Sequence, residues 1–147
     1  MKITIGEIIA ILLILAGLSL GFLSATPTTS THLSLISPSS VSKYLGNSWT
    51  INYEYVGSGY YSKIPQLQVY KNAELVYENL TDSSGDQLII IYAYPYHGTS
   101  ALYVHGYTVL FTTNKGNGYL MISYIGNSTS VSVTQIEALA NYIFNVE

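Results

Sequence analysis

Residues 102–125 read LYVHGYTVLFTTNKGNGYLMISYI. Two runs rich in β-branched and aromatic residues flank Asn114-Lys-Gly-Asn-Gly118, the strongest turn signal in the chain. A hairpin is expected here, with strands over 102–113 and 119–125. Upstream, residues 88–96 (LIIIYAYPY) read as a strongly apolar strand, joined to 102–113 through residues 98–101. Lys71-Asn-Ala-Glu74 marks a tight turn between strand candidates at 66–71 and 75–80. Residues 48–56 alternate, with Trp49, Ile51, Tyr53 and Tyr55 on one face and Thr50, Asn52 and Glu54 on the other. Six strands without intervening helices imply a mainly antiparallel sheet.

The chain closes on a helix. Ser132-x-x-Gln135 and Thr134-x-x-Glu137 are overlapping capping boxes. Ile136, Leu139, Ala140 and Ile143 form one apolar stripe that needs a sheet face to cover it. The fold class is therefore α+β: an N-terminal apolar helix, then the antiparallel sheet with the C-terminal amphipathic helix packed on it. A β-sandwich with a peripheral helix is the alternative.

The apolar helix is the run IIAILLILAGLSLGFLSA, which begins at Ile8 and ends at Ala25. Lys2 and the terminal amine outweigh Glu7, so the leading end stays inside and the body is delivered outside. Its length is on the border between a spanning helix and the core of a signal peptide. Retention makes it a single-pass anchor in the cell membrane. Cleavage after Ala25 releases a secreted domain. Cleavage after Gly6 would instead make a pilin-like filament subunit that packs with copies of itself, although Ile5 stands where archaeal prepilins carry a basic residue. Residues 26–46 are rich in Ser, Thr and Pro and read as a linker, with an edge strand at 32–36 and a turn or two of helix at 39–45 closed by Gly46. The extracytoplasmic domain is then 47–147.

Composition narrows the function. Only 9% of residues are charged, and all five basic residues are lysines. They form no basic stripe, so nucleic acid is not the partner. A surface built from hydroxyls and amides titrates little, so stability should change little between acidic and neutral pH. This composition resembles that of exported proteins of acid-loving archaea. With no cysteine, packing alone must hold the fold.

If His97 faces Leu102, antiparallel register sets Tyr96 against Tyr103, Tyr94 against His105 and Tyr92 against Tyr107. All six would then lie on one face and offer an aromatic ladder to a ligand or partner, or pack as core. His97 and His105 would point to opposite faces, and no metal site is expected. Asp82 and Asp86 read as solvated loop acids. Glu54 and Glu78 read as solvent-facing, and no nucleophile or metalloprotease motif is present, so neither an enzyme nor a cofactor is expected. Asn79-Leu-Thr81 and Asn127-Ser-Thr129 are N-glycosylation sequons, which would make an exported chain a glycoprotein.

Residues 104–111, 117–124 and 133–144 follow the order strand, Gly-rich turn, strand, polar loop and terminal helix. This order resembles the end of the PsbP/Mog1/LpqN-like group of small extracytoplasmic α+β domains. The resemblance implies an accessory or binding module. The reading that results is a membrane-tethered extracytoplasmic module that meets another membrane or envelope protein, or copies of itself, through the tyrosines or a sheet edge.

Overall fold

The computed structural model describes residues 33–58, 64–127 and 131–147. The apolar run 8–25, the stretch to His32 and Lys63 lie outside the described residues. Among the described residues six antiparallel strands form one sheet: β1 (Trp49–Ser58), β2 (Glu74–Asp82), β3 (Gln87–Tyr94), β4 (Ala101–His105), β5 (Thr108–Lys115) and β6 (Gly118–Ile125). The α-helices of the described residues, α1 (Pro38–Leu45) and α2 (Val133–Val146), lie on one face. A single sheet with helices on one face is the α+β arrangement and not the sandwich.

Both helices are closed by local chemistry. The Ser37 hydroxyl accepts from Ser40 N at 3.2 Å, Pro38 occupies the first turn, and Gly46 ends α1 at φ +76°. At the start of α2, Ser132 N donates to Gln135 Oε1 at 2.8 Å and Gln135 N donates to Ser132 Oγ at 3.1 Å, which completes the capping box. Ile136, Leu139, Ala140 and Ile143 are all buried against the sheet, as their spacing predicts.

The strand order is β1-β2-β3-β6-β5-β4. The expected pairing of residues 88–96 with 102–113 does not occur. β3 pairs with β2 and β6, whereas among the described residues β4 pairs only with β5 at the far edge. Pro95 lacks the N–H needed to extend the ladder. The chain then crosses the end of the β5–β6 hairpin, where it is held by Tyr96 N to Asn117 O (3.0 Å), Gly98 N to Asn114 Oδ1 (3.0 Å) and Thr112 Oγ1 to Thr99 O (2.7 Å). Strands apolar on both faces take the middle of the sheet, and β6 is buried along nearly its whole length. β4, with alternate residues exposed, is left at the edge.

Three further expectations are corrected. Residues 66–71 are not a strand: Pro65–Tyr70 is a 3-10 helix, and its period of three buries Ile64, Leu67 and Tyr70 while Val69 stays exposed. The long strand over 102–113 is broken at Gly106, φ +57°, into β4 and β5. A bulge between Ile51 and Tyr53 turns Trp49 and Ile51 to the helix face and Tyr53 and Tyr55 to the other.

Both faces of the sheet are covered by apolar side chains. Val76, Leu80, Leu88, Ile90, Leu120 and Ile122 meet the helices. Leu75, Tyr77, Ile89, Ile91 and Met121 meet the layer that contains Ile64, Leu67 and Tyr70. Leu33, Ile36, Val41 and Leu45 are buried in the helix-side core, so the packed body already includes residues 33–46 and the linker reading does not hold there. Residues 33–36 also do not form a strand.

Candidate functional site

The six aromatic candidates separate into three places. Tyr92 and Tyr94 are on the helix side, where the Tyr92 ring meets Phe144 edge-on at 5.9 Å. Tyr96 lies in the crossing segment, in contact with Tyr70 (4.9 Å) and Tyr119 (5.2 Å) on the opposite side. Only Tyr103, His105 and Tyr107 stay together, on β4 and the turn after it. The ladder therefore does not form, because β6 and β5 stand between its two halves.

The Tyr70–Tyr96–Tyr119 group is packing rather than chemistry. Burial pushes the Tyr70 hydroxyl well above the ordinary phenol range, with smaller contributions from Tyr119 and Tyr96, and burial raises Tyr119 as well. Such phenols stay protonated at physiological pH and are poor nucleophiles. Tyr77, on the same face, is pushed up to about 12 by burial.

On the helix face three carboxyl groups come near one another. Glu54 and Glu78 are cross-strand partners on β1 and β2, and Glu147 follows α2. Glu78 is fully buried, which corrects its reading as solvent-facing, and Glu54 is half-buried. Glu78 Oε2 accepts from Ile36 N at 2.5 Å, and Glu147 Oε1 accepts from Ser34 N at 2.9 Å. The other oxygen of each is buried without a hydrogen-bond donor. Desolvation raises Glu78 to about 8, with Glu54 and Glu147 adding to the shift against the Ile36 hydrogen bond. The Glu78 carboxyl clasps residue 36 to the sheet and the Glu147 carboxyl clasps residue 34 to the end of α2, which is a structural role.

Asp82 and Asp86 are also buried rather than solvated. Asp82 Oδ1 accepts from Ser84 N (2.9 Å) and Asp86 N (2.8 Å), while Asp86 accepts from the Tyr124 hydroxyl and from Asn127 N (2.7 Å). Among the described residues no three His, Cys, Asp or Glu side chains stand close enough to hold a metal ion. His97 and His105 are both exposed on separate segments, and His32 lies outside the described residues. The first sequon is not an acceptor in the folded chain: Asn79 is fully buried, and its Oδ1 accepts from Asn52 (3.3 Å) and Gln87 (3.2 Å). Asn127 is exposed beside the Asp86 loop.

What remains is the β4 edge. Leu102 and Val104 are each 53% exposed on the helix face, and Tyr107 is 47% exposed in the turn. On the other face, Tyr103 and His105 stack at 6.3 Å. Beside this edge, a groove of about 240 Å³ runs between β5 and α2, lined by Phe111, Thr113, Lys115, Glu137, Ala140 and Phe144. It is smaller than a typical small-molecule site of roughly 300–1,000 Å³. Sequence reading included three members of this surface but missed Leu102 and Val104, whose exposure depends on β4 being the outermost strand. The chain matches no protein-family model, no curated protein and no solved structure.

Proposed function

We propose that this chain is a membrane-tethered extracytoplasmic binding or accessory module, the small subunit of a membrane or envelope complex, whose partner meets the edge of β4. One observation carries the reading. Leu102 and Val104 present apolar side chains on an edge strand that has no Asp, Glu, Lys, Arg or Pro to deter pairing. Residues 8–25 form the tether, with the N-terminus inside and the sheet outside, and cleavage after Ala25 would convert the same module into a secreted one. Among the described residues no helix is long and apolar enough to cross a membrane, so the tether rests on that run alone. Asn127 is the glycan acceptor. The role is non-enzymatic and needs no cofactor, in keeping with buried tyrosines that stay protonated and buried carboxyls that hold main-chain N–H groups. The resemblance of the C-terminal third to PsbP/Mog1/LpqN-like domains would imply the same accessory or binding role.

A photo-crosslinking residue at Leu102 of the membrane-bound full-length chain tests this, with the same probe at exposed Gln68 as reference. An adduct from position 102 and none from position 68 is expected. Membrane fractionation without any adduct from 102 would remove the surface, and recovery of the intact chain in the soluble cytosolic fraction would remove the tether.

A further inference from the structure

We propose that the partner of β4 is the β4 strand of a second copy, paired antiparallel about a two-fold axis at Tyr103 so that two sheets become one. This rests on the reading of β4 as a docking edge and names its occupant.

The register follows from the hairpin. His105 pairs with Thr108 across Gly106-Tyr107, and only Gly106 of the two has a positive φ, +57°. That is a two-residue primed turn, whose closing pair exchanges hydrogen bonds. His105, Tyr103 and Ala101 therefore turn their N–H and C=O groups toward β5, and Leu102 and Val104 turn theirs outward. With the axis at Tyr103, Leu102 of one copy faces Val104 of the other. The free main-chain groups of both copies then meet in hydrogen-bonded pairs. On the helix face the same register covers Leu102 with Val104, the exposed aliphatic side chains of the strand. On the other face Tyr103 meets its own copy, and Ala101 leaves room for His105.

Charge permits this pairing. Ala101–His105 carries no acidic side chain, lysine or arginine, so two identical strands meet without like-charge repulsion. The opposite edge strand differs: β1 has a bulge at Ile51–Tyr53 and carries Glu54, two devices that discourage edge pairing. A two-fold interface needs a surface complementary to itself, and β4 has one.

Because the chain has no cysteine, a single introduced thiol reports the contact. Facing residues in a non-hydrogen-bonded pair have Cβ atoms about 4.5–5.5 Å apart, near the reach of a disulfide. Full-length Tyr103→Cys, extracted in mild detergent and oxidised gently, should form a covalent dimer, whereas Gln68→Cys should not. By light scattering the native chain should have twice the protein mass of Val104→Lys, a change at an exposed position that leaves the far-UV circular dichroism of the folded chain in place. Should Tyr103→Cys fail to fold, mixing Ala101→Cys with His105→Cys tests the same register. A monomeric native chain, or equal crosslinking at 103 and 68, overturns self-pairing. A Leu102 adduct with a different protein also overturns it but leaves the binding module standing. No adduct at all removes both.

Discussion

The main-chain N–H of Ile36 donates to Oε2 of Glu78 at 2.5 Å, and neither residue is more than 2% exposed. This bond ties the segment before α1 to the second strand of the sheet. It also places an ionisable group where ionisation is unfavourable, because the carboxyl is desolvated, its second oxygen has no donor, and Glu54 and Glu147 add to the shift.

The pH dependence follows from that placement. Between about 4.5 and about 8 the folded chain keeps a proton on Glu78 that the unfolded chain has released. Raising the pH through this window therefore favours unfolding, and below it the contribution is fully present. Burial raises Glu147 as well, in the same direction. Stability should thus fall from pH 5 to pH 8, by roughly 2–5 kcal/mol. This replaces the nearly flat response that composition alone suggests, since one buried carboxyl outweighs many inert hydroxyls. Urea midpoints across the range measure it. Glu78→Gln, which mimics the protonated acid, should remove most of the slope, and a wild-type slope of opposite sign would contradict the account.

Much of this fold is legible where the signal is local. Ser132 and Gln135 declare the start of α2, and Gly46 and Gly118 mark ends and turns, because the deciding contacts lie within a few residues. Strand neighbours are a different matter. Local spacing sets Tyr96 against Tyr103 across a short connection, but the competition for the middle of the sheet is won by β6, whose Leu120, Ile122 and Met121 serve both faces. The site suffers the same limit. Nothing local marks Leu102 and Val104 as exposed, because their exposure depends on β4 being an edge. Nothing in Asn52-Tyr-Glu announces the bulge that separates Trp49 from Tyr53. Residues 33–46 look like a linker by composition, and only the spacing of Leu33, Ile36, Val41 and Leu45 betrays their burial.

Gly98 is a packing position. A Cβ there would stand 2.5 Å from Cε2 of Tyr119, a ring already held by Tyr70 and Tyr96. Gly98→Ala should destabilise by about 1–3 kcal/mol, the usual cost of overpacking. Tyr119→Leu in the same chain should make the added methyl group less costly than it is alone, as read by a double-mutant cycle in thermal unfolding. Additive effects would disconnect the two residues.

The two sequons should behave differently. In its native host, Asn127→Gln should lower the intact mass by one glycan, while Asn79→Gln should leave the glycan mass unchanged. Asn79→Gln should instead cost about 1–3 kcal/mol, because a longer amide cannot keep its bonds to Asn52 and Gln87 in a fully buried site. Intact mass and melting temperature separate these outcomes. A glycan on Asn79 would require that part of β2 to open.

Asp86 offers the sharpest test of the loop between β2 and β3. Its carboxylate accepts from the Tyr124 hydroxyl and from Asn127 N, and its own N–H donates to Asp82 Oδ1. Asp86→Ala leaves the Asn127 N–H and the buried Tyr124 hydroxyl without this acceptor, which should cost about 2–4 kcal/mol. Asp86→Asn keeps an oxygen for Asn127 N and offers an N–H to the Tyr124 oxygen, so it should cost less than half as much. Trp49, the only tryptophan, lies edge-on to Tyr124 at 6.2 Å and supplies the optical probe. Its fluorescence in urea should show an earlier midpoint for Asp86→Ala than for Asp86→Asn. Equal midpoints would mean that the loop is held by its main-chain bonds, Asp82 N to Asp86 O and Gly85 N to Asp82 O, and not by the carboxylate.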